Sequence, residues 1–272
     1  MDVLVTGANG RIGSAIEEHL GDDTDFEFTF LDREPRPDGE GIVADVTDEA
    51  AIRTAVEGHD AVVHLAVHQL EGETWAGVLS TNIVGTYTVL EAARRAEVDT
   101  FVFASSNHVV GTVERDHAPA IYHGEADVLC SASTPHQPDS LYGASKAWGE
   151  DLCRYYAEWF DAPRRCQALR IGSVHEAAYD HPFGPAERGV DRGEFERGSD
   201  EYERRVARQR ALWQSRRDVA HQIACCLRDD ATGFDVYYGV SDNRRRWLEL
   251  EPARLDLGYE PRDSADEWDG PR

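Results

Sequence analysis

The stretch VLVTGANGRIGSAI, at positions 3–16, decides the predicted fold of this chain of 272 residues. Four strand-forming residues run into a loop with regularly spaced glycines, and a helical pattern begins at Arg11. Glycines in such a loop allow a tight turn and let backbone N–H groups reach a phosphate at the helix N-terminus. The strand, loop and helix together predict the start of a doubly wound α/β fold with a phosphate-binding loop at Gly7, Gly10 and Gly13.

An acidic residue ends the second predicted strand, nineteen positions after Gly13. The Asp32 carboxylate can there accept hydrogen bonds from the ribose hydroxyls of a dinucleotide. Its negative charge would repel a 2′-phosphate, so we expect NAD rather than NADP, a preference that the adjacent Arg33 would weaken. Asp45, in ADVTD, follows the short third strand. It lies either at the edge of the adenine pocket or in an ordinary turn.

Short apolar runs alternate with helical patterns through about the first 170 residues, which predicts βαβ units around a parallel sheet. The predicted strands are 3–6, 26–31, 42–44, 61–66, 100–105 and 166–171, with a late strand at 235–241 added to the sheet. The predicted helices of this part are 11–20, 48–58, 75–96 and 140–160. We therefore expect a dinucleotide-binding domain over residues 1–175.

Residues 176–272 are predicted to form a small substrate-binding lid and the C-terminal region. The segment 177–217 is rich in proline, glycine and charged residues, and we expect a loop there that is followed by a helix over 200–214. The last residues, 263–272, lack apolar periodicity and are predicted to be frayed.

Lys146 is the only lysine, since the other 27 of the 28 basic residues are arginine. It follows Tyr142 by four positions in a predicted helix, so both side chains project from one face. A tyrosine hydroxyl, with a pKa of roughly 10, is a weak base at neutral pH. A nearby ammonium group is expected to lower that pKa, and it donates as a compact group that arginine cannot replace. Ser106, after the fifth strand, would hold the reacting oxygen against Tyr142.

The 52 acidic residues outnumber the 28 basic ones and give a formal charge of −24. This charge excludes a general nucleic-acid or anionic-membrane binder. With a single lysine it is typical of a halophilic protein, an acidic mesophilic protein being the alternative. The five cysteines form no C-x-x-C pair, so we expect reduced, buried thiols and no metal site. No apolar run of 18 residues and no signal-peptide pattern is found, which predicts a cytoplasmic protein without a membrane span.

Five motifs resemble those of the extended branch of the short-chain dehydrogenase/reductase superfamily: TGANGRIG (6–13), HLA (64–66), NIVGT (82–86), SSNHVVG (105–111) and YGASK (142–146). The segments FASSNH, PDSLYGASKAWGE, LRIGS and WQSRRD are most similar to uronate dehydrogenases and the related haloarchaeal NAD-dependent glucose-6-phosphate dehydrogenases. The resemblance implies a Rossmann fold, NAD as cofactor, and the catalytic residues Ser106, Tyr142 and Lys146. Two features depart from these relatives: the loop HLAVHQ, which lacks their usual glycine, and a longer lid.

The resemblance also implies which residues contact the cofactor and the sugar. The cofactor contacts are Gly7, Asn9, Gly10, Arg11, Ile12, Gly13, Asp32, Arg33, Asp45, Val46, Leu65, Ala66, Asn82, Tyr142 and Lys146. The sugar contacts are Gln69, Ser106, Asn107, His108, Tyr142, Ser173 and Arg208. His108 is alternatively a histidine that satisfies the loop after the fifth strand. The lid arginines either receive a sugar carboxylate or phosphate or pair with neighbouring acids. We favour pairing for most of them and a ligand role for Arg208.

Together these residues predict an NAD-dependent sugar dehydrogenase that oxidises the C1 hydroxyl of a cyclic aldose to the lactone by hydride transfer. The aldose is a hexuronate, glucose 6-phosphate or a pentose. A nucleotide-sugar epimerase or dehydratase is the alternative enzyme, and a non-catalytic NAD sensor is the alternative outside enzymes. No metal, nucleic acid or membrane partner is expected. The two long helices are expected to pair copies of the chain into a homo-oligomer, either a dimer or a tetramer.

Overall fold

Seven parallel strands form the sheet in the computed structural model, which describes residues 1–37 and 39–271. Their order is β3-β2-β1-β4-β5-β6-β7, so the direction in which strands are added reverses between β1 and β4. Ligands of doubly wound folds bind at this reversal, beyond the carboxyl ends of the strands. The predicted doubly wound fold, including the late strand, is confirmed. The strands are β1 (Asp2–Thr6), β2 (Glu27–Asp32), β3 (Ile42–Val43), β4 (Ala61–His64), β5 (Thr100–Ser106), β6 (Arg165–Ile171) and β7 (Gly233–Gly239).

Helices cover both faces of the sheet and build the lid. They are α1 (Arg11–Leu20), α2 (Glu49–Val56), α3 (Trp75–Gly77), α4 (Thr86–Arg95), α5 (Gly111–His117), α6 (Leu141–Trp159), α7 (Gly184–Asp191), α8 (Asp200–Leu212), α9 (Arg216–Arg228) and α10 (Glu251–Leu257). A π-helical segment, Val78–Gly85, joins α3 to α4 within the predicted helix 75–96. Short 3₁₀ turns lie at Asn107–Val110, Ala120–His123, Ala177–Tyr179 and Ala265–Glu267.

Four helices, α5, α7, α9 and α10, were not predicted. The start of α9 nevertheless has a sequence signal, because Ser215 is followed three positions later by Asp218. The Ser215 hydroxyl oxygen accepts a hydrogen bond from the Asp218 N–H at 3.0 Å and caps the helix. The other three give no comparable pattern, and glycine or proline stands in the first turn of each.

Alternate residues of β1 face opposite sides of the sheet, as the period of a strand requires. Val3 and Val5 pack with buried residues of α1 and α9, among them Ile16 and Ile223. Leu4 packs on the other face, in a core formed with α2, α4 and α6. Each of these aliphatic side chains is fully buried and contributes about 1.5–3 kcal/mol relative to an exposed one. The two cores hold the carboxyl ends of the strands at one common edge.

The region predicted to be a lid has a small core of its own, and the C-terminal segment packs on it. That core consists of Phe183, the N-cap residue of α7, together with Ala186 of α7 and Tyr202 and Val206 of α8. The ring of Trp268 packs on this core and stacks on His181 with 5.1 Å between ring centres. The expectation of a frayed C-terminal segment is therefore wrong for residues 263–268, because Trp268 anchors a stretch without periodicity. The last residue, Arg272, lies outside the described residues.

Beyond the lid the chain returns to the sheet. Helix α9 packs on α1, and β7 pairs in parallel with β6. All five cysteines are free thiols in buried positions, as predicted. Within residues 1–37 and 39–271, no helix combines the length and the hydropathy that a membrane span requires.

A buried ion pair between Arg170 of β6 and Glu150 of α6 connects the sheet to this helix. Arg170 donates to Glu150 through Nε at 2.9 Å and Nη2 at 2.8 Å, and the two side chains are only 1% and 2% exposed. Glu150 also accepts from Ser105 at 2.5 Å, and Arg170 donates to the hydroxyl of Tyr238 at 3.0 Å. These additional hydrogen bonds satisfy the charges that burial has removed from water.

We expect Arg170→Met to lower the free energy of unfolding by about 3–5 kcal/mol, because it leaves the buried Glu150 carboxylate without its guanidinium and with only Ser105 and His136 as partners. Arg204→Met is the matched control: its exposed pair with Glu201 contributes only about 0–1 kcal/mol. Guanidinium denaturation in molar KCl measures both. Equal losses in the two variants would contradict this account of the buried pair.

Candidate active site

A cavity of about 740 Å³ opens above the carboxyl ends of the strands. Loops that follow β1, β2, β3, β4, β5 and β6 form its walls, and Arg208 of α8 closes one side. Every residue named above as catalytic, cofactor-binding or sugar-binding lines this cavity, with the exception of Asn82. The fold thus brings the sequence-based set into one space, while the contacts of each residue with a ligand remain predictions.

The loop between β1 and α1 is a cradle that requires glycine. Gly7 has a φ of 73°, and a Cβ there would lie 2.6 Å from the Ala66 nitrogen. A Cβ on Gly13 would lie 2.3 Å from the Ala8 oxygen. Gly10, the N-cap of α1, offers no side chain to the first N–H groups, and the first helical turn has no acidic residue. This cradle fits the pyrophosphate of a dinucleotide, because N–H groups and the positive end of the helix dipole face the anion.

Carboxylates line the end of the cavity expected to hold the adenosine. Asp32 ends β2, and its side chain accepts hydrogen bonds from the N–H groups of Asn9 at 2.9 Å and Glu34 at 3.3 Å. Asp45 accepts from both the hydroxyl and the N–H of Thr47, and these two hydrogen bonds lower its pKa. Asp45 is therefore a turn aspartate that also lines the cavity, and its place at an adenine pocket stays a prediction.

Tyr142 and Lys146 lie in the first turns of α6, on one face as predicted. The hydroxyl of Ser140 caps the helix at the Gly143 N–H, and Glu73 accepts from the Tyr142 N–H at 2.8 Å. Lys146 Nζ lies 5.7 Å from the centre of the Tyr142 ring. It donates to the carbonyl of Ala104 at 2.6 Å, which connects α6 to β5.

Burial dominates the pKa values of this pair. It raises the pKa of Tyr142, an effect that the hydrogen bond with Ser106 opposes and the charge of Glu71 reinforces. Burial also lowers the pKa of Lys146 to about 7. Burial thus outweighs, in the protein alone, the lowering of the Tyr142 pKa that was expected from Lys146. The Lys146 amine is itself desolvated and donates to the Ala104 carbonyl.

Ser106 and His108 form the turn after β5. Ser106 Oγ accepts a hydrogen bond from the His108 N–H at 3.2 Å. The imidazole Nδ1 of His108 pairs with Asp139 at 2.9 Å, and the ring meets Tyr142 edge to face with 5.8 Å between centres. His108 is therefore held by the protein on one side while it lines the cavity, which fits the loop-supporting role, and its contact with a sugar stays a prediction.

Asn82 lies elsewhere than predicted. Its buried side chain accepts from the His68 N–H at 2.7 Å and donates to the His68 carbonyl at 3.2 Å. It also donates to Ser145 Oγ at 2.9 Å. The amide is thus used to attach the loop after β4 to α6, the same loop that brings Gln69 to the cavity. Asn82 is not among the residues that line the cavity, and its contacts support the site from behind, which gives no support to the predicted contact with the cofactor.

Two residues that the sequence analysis missed, Glu114 and Tyr122, line the end of the cavity expected to hold the sugar. Glu114 accepts from Arg208 Nε at 2.5 Å and from the Tyr122 hydroxyl at 2.7 Å. Arg208 is thus paired with an acid, as other lid arginines are, for example Arg204 with Glu201. No sequence pattern marked Glu114, because the helix that carries it, α5, begins with glycine and was not predicted.

Ser173 follows β6 and is connected to the lid. Its hydroxyl shares a hydrogen bond with His175 Nε2 at 3.2 Å, and the same nitrogen shares one with Gln209 of α8 at 3.0 Å. Burial lowers the pKa of His175 to about 4, so the ring is neutral at physiological pH. Through the neutral His175, Ser173 is connected to α8, the helix that carries Arg208.

The buried amine of Lys146 predicts a pH dependence of stability. Its pKa is about 7 in the folded protein and about 10.4 in an unfolded chain. Between these values the unfolded state binds the additional proton, so the free energy of unfolding rises with pH. We expect Lys146→Met to reduce that rise between pH 7 and 9, measured by guanidinium denaturation. Arg154→Met, an exposed cation on the same helix, should leave it unchanged. Identical slopes for wild type and Lys146→Met would refute the assignment.

Comparison with known proteins places this site in a family. Residues 3–173 match the NAD dependent epimerase/dehydratase family. The chain is 38% identical over 276 residues to the NAD-dependent glucose-6-phosphate dehydrogenase of Haloferax volcanii, covering 98% of this chain and 95% of that one. It is 34% identical over 269 residues to the L-arabinose 1-dehydrogenase (NAD(P)(+)) of the same organism, covering 97% of each.

A solved structure extends the comparison to the fold. A mutant of uronate dehydrogenase from Agrobacterium tumefaciens, complexed with NAD, superposes with a TM-score of 0.73 at 26% identity, over 98% of this chain and 86% of that one. The resemblance drawn from the glycine loop and the Tyr-x-x-x-Lys motif is thus confirmed. The chain belongs to the NAD dependent epimerase/dehydratase family, within the extended short-chain dehydrogenases/reductases.

Proposed function

We propose that this protein is an NAD-dependent sugar dehydrogenase that oxidises the C1 hydroxyl of a cyclic aldose to the lactone. The observation that carries the proposal is that Ser106, Tyr142 and Lys146 share one cavity with the phosphate cradle. Relatives that match over nearly the whole chain are sugar dehydrogenases, which favours this activity over a nucleotide-sugar epimerase or dehydratase. The intact Tyr142 and Lys146 pair argues against a non-catalytic NAD sensor.

The cofactor would lie between the glycine cradle and the catalytic residues. NAD, when bound, supplies the hydride acceptor and a positively charged ring. Asp32, Glu34 and Asp45 surround the adenosine end, and three carboxylates there would repel a 2′-phosphate. Arg33 offsets only part of that charge. This arrangement supports NAD over NADP.

The protein's own groups position the sugar and accept its proton. Ser106 Oγ orients the C1 hydroxyl, and Tyr142 Oη removes the proton of that hydroxyl as the C–H bond is broken. Burial raises the pKa of Tyr142, so the free tyrosine holds its own proton and needs nearby positive charge to lose it. Lys146, fixed to the Ala104 carbonyl beneath the ring, provides one such charge when protonated.

The activity is tested with a panel of aldoses in molar KCl, with NAD and NADP compared side by side. We expect NADH formation with at least one of glucuronate, galacturonate, glucose 6-phosphate, L-arabinose, D-xylose and glucose. Tyr142→Phe should lower kcat/KM by roughly 10²–10⁴-fold while NAD binding is retained, because general-base catalysis is lost. Tyr155→Phe, exposed on the same helix, is the matched control and should keep full activity. No turnover of any sugar by wild type would refute the proposal.

An exposed aromatic face supports the predicted homo-oligomer in the cytoplasm. Trp75, Tyr87, Tyr155 and Trp159 stand out on α3, α4 and α6, and Trp159 is 72% exposed. Helices α4 and α6 pack together, and exposed aromatic side chains are enriched at protein interfaces. We expect Trp159→Glu to halve the molar mass measured by light scattering in molar KCl, relative to wild type. A wild type that is already monomeric would contradict this interface.

A further inference from the structure

Glu114 accepts hydrogen bonds from three residues at the sugar end of the cavity. Besides Arg208 Nε and the Tyr122 hydroxyl, it accepts from Arg208 Nη2 at 3.1 Å and from Asn107 Nδ2 at 3.4 Å. Its side chain is only 7% exposed, yet it lines the cavity. Because four donors already occupy the carboxylate, it is poorly suited to act as a base or to receive sugar hydroxyls. What it contributes to the site is a fixed negative charge.

The pairing changes how a ligand meets Arg208. The Nε and Nη2 edge of the guanidinium, which is one of the edges that grip a carboxylate or phosphate with two hydrogen bonds, faces Glu114. The side chain remains 28% exposed, so part of it still faces the cavity. The positive charge of Arg208 that an anionic sugar would encounter is therefore already neutralised by Glu114.

The other charges of this end are balanced as well. His108 pairs with Asp139, and Arg115 is an exposed residue paired with Asp116. Apart from Lys146, which donates to the Ala104 carbonyl, the described basic side chains at the sugar end are thus paired with acids. Salt screens buried charges less than surface charges, so the balance between Glu114 and Arg208 persists even in molar KCl.

We propose that Glu114 is a specificity-determining residue that sets how strongly the enzyme favours anionic over neutral aldoses. The inference rests on the proposed function and deepens it. By holding its charge against Arg208, Glu114 weakens the attraction for a uronate or sugar phosphate and leaves selection to hydrogen bonds with hydroxyl groups. Discrimination at this end is then governed by one ion pair between α5 and α8.

The test compares glucuronate with glucose, two sugars that differ by a carboxylate, in wild type and Glu114→Gln. We expect the ratio of kcat/KM values, glucuronate over glucose, to rise roughly 10- to 100-fold in Glu114→Gln, because the variant removes one nearby negative charge. Arg208→Gln should lower the same ratio, and the KM for NAD should not change in either variant. Glu203→Gln removes one exposed charge from α8 and should leave the ratio unchanged.

An unchanged or lower ratio in Glu114→Gln would overturn the proposal, as would an equal loss for both sugars accompanied by a lower Tm. A second measurement does not require turnover: the increase in Tm caused by glucuronate, minus that caused by glucose. This difference should be larger in Glu114→Gln than in wild type. If wild type oxidises no aldose, the proposed function fails, and the Tm comparison still decides for or against Glu114.

Discussion

The hydrogen bond from Lys146 to the Ala104 carbonyl is the contact on which the site depends. It joins the helix that carries Tyr142 to the strand that ends in Ser106, and it lies where Lys146 is only 3% exposed. A compact ammonium group can make this contact in so closed a space, whereas the planar fork of arginine could not simply replace it. This gives a physical reason for one lysine in a chain that otherwise uses arginine.

Burial fixes the positions of Lys146 and Tyr142 and also shifts the pKa values of both side chains. The desolvation that lowers the pKa of Lys146 also raises that of Tyr142, so neither side chain favours its charged form in the protein alone. Perturbed pairs of this kind cluster at functional sites. The supporting contacts come from the loops: Glu73 at the Tyr142 N–H, and Asn82 between His68 and Ser145.

The interior and the surface treat charge differently. The formal charge of −24 reflects an excess of acidic residues. On the surface, salt screens the repulsion between exposed carboxylates. Buried carboxylates bind arginines, as Glu150 binds Arg170 and Glu114 binds Arg208. The pair of Arg208 with Glu114 lies at the wall of the cavity, where it can affect ligand binding as well as the stability of the fold.

Features that are local or periodic could be predicted from the amino-acid sequence. The glycine loop could be predicted because only glycine leaves room for the close backbone contacts at positions 7 and 13. Tyr142 and Lys146 share a face because they are one helical turn apart. Ser106 lies at the site because parallel strands end at one edge of the sheet. Only the tertiary structure decided that Glu114 meets Arg208 from 94 positions away, that Asn82 faces a loop rather than the cavity, and that Trp268 anchors the C-terminus. It also decided the pKa of Tyr142, because that value depends on burial. Contacts between distant elements and the loss of water have no period along the chain, so no pattern in the sequence could reveal them.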